Sequence, residues 1–167
     1  MEYLIIVPLL EPFCKITSSA QGIYSISSNI SSYYSSYPDM VTSLKRLDIE
    51  ASIRIIDNLI NELDIDAQTK TLGESMSLLK ECIMNIEKEL ISIYDKMAYN
   101  KSIYFRFARG YGFGESIKNL ETLKRQLDNR TKMFFLILDN NKKLTKKQIP
   151  ISASSMNVDM SILDRRF

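Results

Sequence analysis

The chain has no histidine, no tryptophan, two cysteines, four prolines and five glycines in 167 residues. Without histidine it lacks the commonest metal ligand and the side chain that most readily serves as a general base near neutral pH. That excludes His-based triads and most zinc sites. Cys14 and Cys82 fit no metal-binding spacing and read as buried, unpaired thiols in a reducing compartment. So few glycines and prolines argue against a β-sandwich, a barrel or a disordered chain. Hydrophobic content of 45% and charged content of 25% are ordinary for a globular protein. A chain of this length forms one domain that buries roughly 70% of the surface its unfolded form exposes. The expected class is all-α, with no cofactor and no metal.

Charge is missing locally as well. The first 38 residues carry only Glu2, Glu11 and Lys15, and nothing charged stands between Ile16 and Pro38. Such a segment is either the sheltered helix of a bundle or an element delivered to a membrane. Glu2 stands where a signal peptide needs a basic region, and Pro8, Glu11 and Pro12 interrupt the apolar run, so the segment does not read as a secretory leader. The sequons at Asn29, Asn100 and Asn129 are accordingly read as chance matches. Leu4 to Leu10 is far shorter than the roughly 20 apolar residues a spanning helix needs. A cytoplasmic protein, recruited to the plasma membrane, is the expectation.

What is present is helical periodicity. Met76, Leu79, Ile83, Ile86, Leu90, Ile93 and Met97 step by three and four, predicting a helix over about 75–99. Over 39–63, Met40, Leu44, Leu47, Ala51, Ile55 and Leu59 form a stripe that Ile49, Ile53, Ile56, Ile60 and Leu63 widen. Pro38 stands where the first helical position tolerates proline, and Asp64 to Leu72 reads as a short polar connection. Ile117, Leu120, Leu123, Leu127, Phe134 and Leu138 predict a helix over about 115–139, with an all-apolar, buried end at 134–138 and a break at Asp139-Asn140-Asn141. A first helix over about 9–35 follows from Leu9, Leu10, Phe13, Ile16, Ala20, Ile23, Tyr24, Ile26 and Ile30, diluted by nine serines between Ser18 and Ser36. Serine is a mediocre helix former, so packing must supply much of that helix's stability. Four helices with short connections predict an antiparallel up-down four-helix bundle over 1–139, its first helix the most sheltered, followed by a basic and then Ser-rich tail over 140–167.

Charge sorts along the chain. Residues 48–95 hold eleven acids and four bases, and residues 101–147 hold twelve bases and four acids. Two readings stay open for the lysines of the tail, Lys142, Lys143, Lys146 and Lys147: contact with anionic lipid headgroups, or complementing the last helix's dipole and solubilising a linker. Arg109-Gly110-Tyr111-Gly112-Phe113 matches the first five positions of an RNA-recognition signature. The match then fails at Gly114 and Ser116, and long helical patterns flank it where a central strand is required. Nucleic acid is therefore not the expected partner. The simpler reading is a glycine-permitted turn whose Phe105, Phe107, Tyr111 and Phe113 plug the bundle end. No nucleophile elbow or phosphate loop is present, and Glu87 and Glu89, two apart on a helix, cannot face one another. A non-enzyme is predicted.

Together these parts resemble the HeLo-like group, the helical N-terminal domains of fungal STAND and ankyrin-type receptors. That group is similar in architecture to the bundles of mixed lineage kinase domain-like protein and plant RPW8-type proteins. The likeness rests on the weakly charged, small-residue-rich first helix, on Met40-Val-Thr-Ser-Leu-Lys-Arg-Leu-Asp-Ile-Glu50 with Ile55 to Leu63, and on Leu78-Leu-Lys-Glu-Cys82 with Ile86 and Leu90. It continues through Tyr104-Phe-Arg-Phe-Ala-Arg109 into Glu115 to Leu120 and Leu123 to Leu138, covering about residues 3–139. The resemblance implies an intracellular domain of regulated cell death and fungal innate immunity. Such a domain self-associates, contacts anionic membrane and works with an NLR-like receptor partner. It makes Leu4, Ile5, Ile6, Val7, Leu9, Leu10, Phe13 and Ile16 the membrane-contact candidates, with Lys142, Lys143, Lys146 and Lys147 as headgroup candidates. The sequence departs from the group's aliphatic first helix in its serines and tyrosines and in Pro8 and Pro12. The alternative is a protein-interaction or oligomerisation adaptor that needs no membrane.

Overall fold

The computed structural model describes residues 10–62, 70–102 and 112–147, and its described residues are helical, without a strand. Five helical segments follow one another: α1 (Leu10–Ser31), α2 (Pro38–Leu47), α3 (Ile49–Asn61), α4 (Lys70–Ser102) and α5 (Gly114–Lys147).

The cleanest periodicity in the sequence becomes the centre of the molecule. Met76, Leu79, Ile83, Ile86, Leu90, Ile93 and Met97 are all at most 1% exposed, so one side of α4 supplies the spine against which α1 and α5 pack. The same helix also buries Leu72, Ser75, Cys82 and Asn100. α4, rather than the first helix, is therefore the sheltered one. α1 buries Ile16, Ala20, Ile23 and Ile30, while Ser18, Gln21, Ser25 and Ser28 leave an uncharged polar face in solvent. Serine on that face neither adds burial nor brings charge, so packing of the opposite face holds α1 helical.

Cross-helix contacts fix the relative directions. Thr17 Oγ1 donates to Asp57 Oδ1 at 2.9 Å, and the Arg54 guanidinium lies 5.7 Å from the Tyr24 ring centroid, so α3 runs back along α1. Gly22 lies against the Glu87 side chain and Tyr33 against Tyr94, so α4 runs in the same sense as α1. The Cys82 thiol donates to the Leu123 carbonyl, Lys96 Nζ to Ser116 Oγ, and Arg130 Nη1 to the Leu78 carbonyl, so α5 returns along α4.

Several sequence expectations are corrected. The single helix over 39–63 is two helices that meet at Asp48, whose φ of 48° and ψ of 41° place it in the left-handed region. Aspartate tolerates that conformation better than most residues. The break resets the phase of the apolar stripe: Ile49, Ile53, Ile56 and Ile60 are buried, and Ile55, assigned to the main stripe, is 58% exposed. α4 begins at Lys70, so the connection before it is shorter than Asp64 to Leu72; Leu72, 5% exposed, pulls the extra turn into the core. α5 runs through Asp139-Asn140-Asn141 to Lys147, so the chain from 140 to 147 is helix and not tail. Asp and Asn each cost only about 0.7 kcal/mol or less in a helix, and lysine is a residue type favoured near helix C-termini. The end of α5 is also less buried than its sequence suggests, for Phe134 is 2% exposed but Leu136 is 66% exposed.

Candidate functional site

Of the predicted membrane-contact residues, Ile16 alone has a described side chain. Leu4, Ile5, Ile6, Val7 and Leu9 lie outside the described residues, whereas Leu10 and Phe13 stand on the first turns of α1. Ile16 is fully buried and packs in the core. It reaches lipid only if α1 leaves the other helices. The Asn100 sequon lies within α4 with its side chain 3% exposed, so it is no surface acceptor.

The four headgroup candidates are brought together. Lys142, Lys143, Lys146 and Lys147 occupy the last two turns of α5, and their spacings of one, three and four put their positions on one side of the helix. Helical backbone sets these four positions in one register.

The outward side of α5 extends the same charge over the folded body. Lys118, Thr122, Arg125, Asn129, Lys132, Leu136 and Asn140 step by three or four and are all exposed. The helical register carries the series on to Lys143 and Lys147. None of the four acids of α5 falls in it. Asp128 holds Lys124 at 2.7 Å, Glu121 holds Arg46 at 3.1 Å, and Glu115 and Asp139 stand on the flanks. Lys118, Arg125 and Lys132 pair with no described acid. Arg130, by contrast, turns inward to the Leu78 carbonyl at 2.6 Å and to Glu81 at 3.5 Å. Sequence periodicity finds the buried side of α5 but treats these cations only as residues off the stripe. The missed signal is their own spacing, seven residues from Lys118 to Arg125 and seven more to Lys132.

At the opposite end of α5, aromatic rings close the molecule. Phe113 meets Tyr37 edge-on at 5.3 Å between centroids, and Tyr33 meets Tyr94 at 6.1 Å. Lys101 Nζ lies 5.2 Å from the Tyr33 ring centroid, a cation–π geometry. Phe113 is half-buried just before the first turn of α5 and packs against the core. Phe105, Phe107 and Tyr111 lie outside the described residues.

The interior holds little reactive chemistry. Burial pushes the Cys82 thiol up, with Arg130 opposing and Glu81 adding to the effect. Cys14 is exposed rather than buried, because its position on α1 faces away from α4. The Tyr24 phenol is likewise raised, first by burial and then by Asp57. Its hydroxyl has no hydrogen-bond partner among the described residues. No group of His, Cys, Asp or Glu among the described residues could hold a metal ion, and no described helix is long and apolar enough to cross a membrane. No family model, curated protein or solved structure matches this chain.

Proposed function

We propose that the chain forms an antiparallel up-down four-helix bundle, with α2 and α3 as one broken helix. Its role is that of a non-enzymatic domain that self-associates and contacts anionic membrane, as the HeLo-like resemblance implies. The observation that carries the reading is the length of α5: 34 residues of helix deliver Lys142, Lys143, Lys146 and Lys147 on the same rod that packs along α4. Clustered lysines near an anionic surface contribute about 1 kcal/mol each, and a rod that holds them in register avoids ordering them on contact. The fully buried Ile16, Ile23 and Ile30 make α1 a structural helix in the resting state. Insertion of the first segment into lipid then requires those three side chains to be uncovered, at a cost that contact with the bilayer must offset.

An adaptor without membrane activity finds less support. The exposed large apolar residues Tyr34, Ile55, Leu78, Ile91, Tyr99, Met133 and Leu136 are spread over the turn after α1 and over three helices. Among the described residues, only Met133 and Leu136 of this set stand within one turn of each other on the same helix.

Co-sedimentation with vesicles of phosphatidylcholine, with and without phosphatidylserine, tests the membrane reading, and light scattering of the eluting species tests self-association. Binding that needs phosphatidylserine and falls when the four lysines are replaced by glutamine supports contact through α5. Equal sedimentation with both vesicle types, or none with either, refutes the membrane reading, and a monomer at all concentrations with and without lipid refutes self-association.

A further inference from the structure

We infer that the outward stripe of α5, from Lys118 to Lys147, is the surface that lies against the membrane, with Leu136 and Met133 entering the headgroup layer between its cations. This rests on the membrane reading above and assigns it a face that includes Lys118, Arg125, Lys132, Met133 and Leu136.

Three observations converge on that face. First, its central line is basic, with exposed Glu115, Glu121 and Asp139 only at its edges: Lys118, Arg125 and Lys132 are exposed and unpaired among the described residues, and the register adds the positions of Lys143 and Lys147. Neighbouring cations of the same helix are neutralised, Lys124 by Asp128 and Arg130 by Glu81, so the stripe is the part of α5 whose positive charge is left to solvent. Second, it is long, spanning about 44 Å at 1.5 Å per residue. An extended line of charge complements a flat anionic surface over its whole length. Third, Met133 and Leu136 are 58% and 66% exposed amid that charge. Two apolar side chains beside Lys132 cost exposure in water and gain burial at the boundary between headgroups and acyl chains. Phosphodiester backbones offer no such burial, which favours lipid over a nucleic acid as the occupant.

The geometry also orients the domain. α5 lies along the surface on its outer side, and α4, which packs on its inner side, faces away from the bilayer. α1, packed on α4, stands one helix further from lipid. The membrane-facing element of the resting fold is the last helix rather than the first.

Two variants of the full chain test this. In Lys118→Gln/Arg125→Gln/Lys132→Gln, each removed cation lowers vesicle partitioning about fivefold. The triple variant is expected to lose about two orders of magnitude on vesicles containing phosphatidylserine. All three positions are exposed and unpaired, so far-UV circular dichroism and the urea midpoint should stay at the parent values, and retained partitioning by a folded variant overturns the assignment. In Leu136→Trp, the protein has a single tryptophan, because the chain otherwise has none. Its emission is expected to shift to the blue on vesicles containing phosphatidylserine, and binding without a shift overturns insertion at this face. If the parent binds such vesicles while both variants behave as the parent does, the membrane reading stands and the face is wrong. If the parent binds no vesicle, both fall, and a duplex oligonucleotide that the parent binds and the triple variant does not identifies the stripe as a nucleic-acid surface instead.

Discussion

The left-handed residue between α2 and α3 makes a prediction whose sign depends on the tertiary structure. Asp48 is exposed and its side chain makes no capping hydrogen bond. Its backbone does the work: the N–H donates to the Lys45 carbonyl at 3.3 Å, and its carbonyl accepts the Ser52 N–H at 3.3 Å and the Ser52 hydroxyl at 3.1 Å. Replacing the side chain therefore removes no contact, and the effect reports on backbone conformation. At φ 48° and ψ 41°, an alanine Cβ crowds the following carbonyl and costs about 1–2 kcal/mol, whereas glycine carries no such penalty. Glycine gives back roughly half to 1 kcal/mol through the greater freedom of its unfolded state. Asp48→Gly is expected to exceed Asp48→Ala in stability by about 1 kcal/mol. In an unbroken helix over 39–63 the order is reversed, because alanine then exceeds glycine by about 1 kcal/mol. The two geometries thus differ by about 2 kcal/mol in one comparison. Urea unfolding followed at 222 nm reads it directly, and thermal midpoints should separate by about 2–4 °C for each kcal/mol in a chain of this size. An Asp48→Ala protein more stable than Asp48→Gly refutes the break and with it the exposure of Ile55.

Two further outcomes follow from burial and close approach. Because burial raises the Cys82 thiol in the folded state, the unfolded chain ionises first as pH rises through about 8.5. The contribution of Cys82 to stability is intact below that pH and lost progressively above it. The stability gap between the parent and Cys82→Ala should therefore narrow between pH 7 and 9.5 in denaturant titrations, and a gap independent of pH refutes the burial argument. At Gly22, the three atoms nearest to an added Cβ all belong to the flexible side chain of Glu87. Gly22→Ala is expected to stabilise α1 by up to about 1 kcal/mol as that carboxylate swings aside. A loss of stability shows instead that Glu87 is held in place against α1.

Much of the helical content was legible because it depends on local spacing. The stripe from Met76 to Met97 predicts its own burial, for residues three and four apart share a face whatever the helix packs against. Leu120, Leu127 and Phe134 are buried for the same reason. Periodicity fails where the chain changes direction without punctuation. Asp48 is neither glycine nor proline, and nothing beside it in sequence marks a break. Asn140 and Asn141 resemble a break, yet the helix passes through them because each costs only a few tenths of a kcal/mol and lysine, favoured near helix C-termini, follows.

The sequence by itself determined that this protein is helical, that its charge is divided between an acidic middle and a basic C-terminal part, and that its first 38 residues carry almost no charge. Only the tertiary structure decided which helix is sheltered and which cations are free. The uncharged start becomes a helix with one buried and one serine-lined side, because α1 packs along α4 and α3, whereas α4 is held between α1 and α5. Lys124 and Arg130 find acids within reach, Lys118, Arg125 and Lys132 do not, and that difference depends on which face of α5 turns toward α4. Composition counts charges, but a charge becomes available to a partner only when packing leaves it unpaired on the outside.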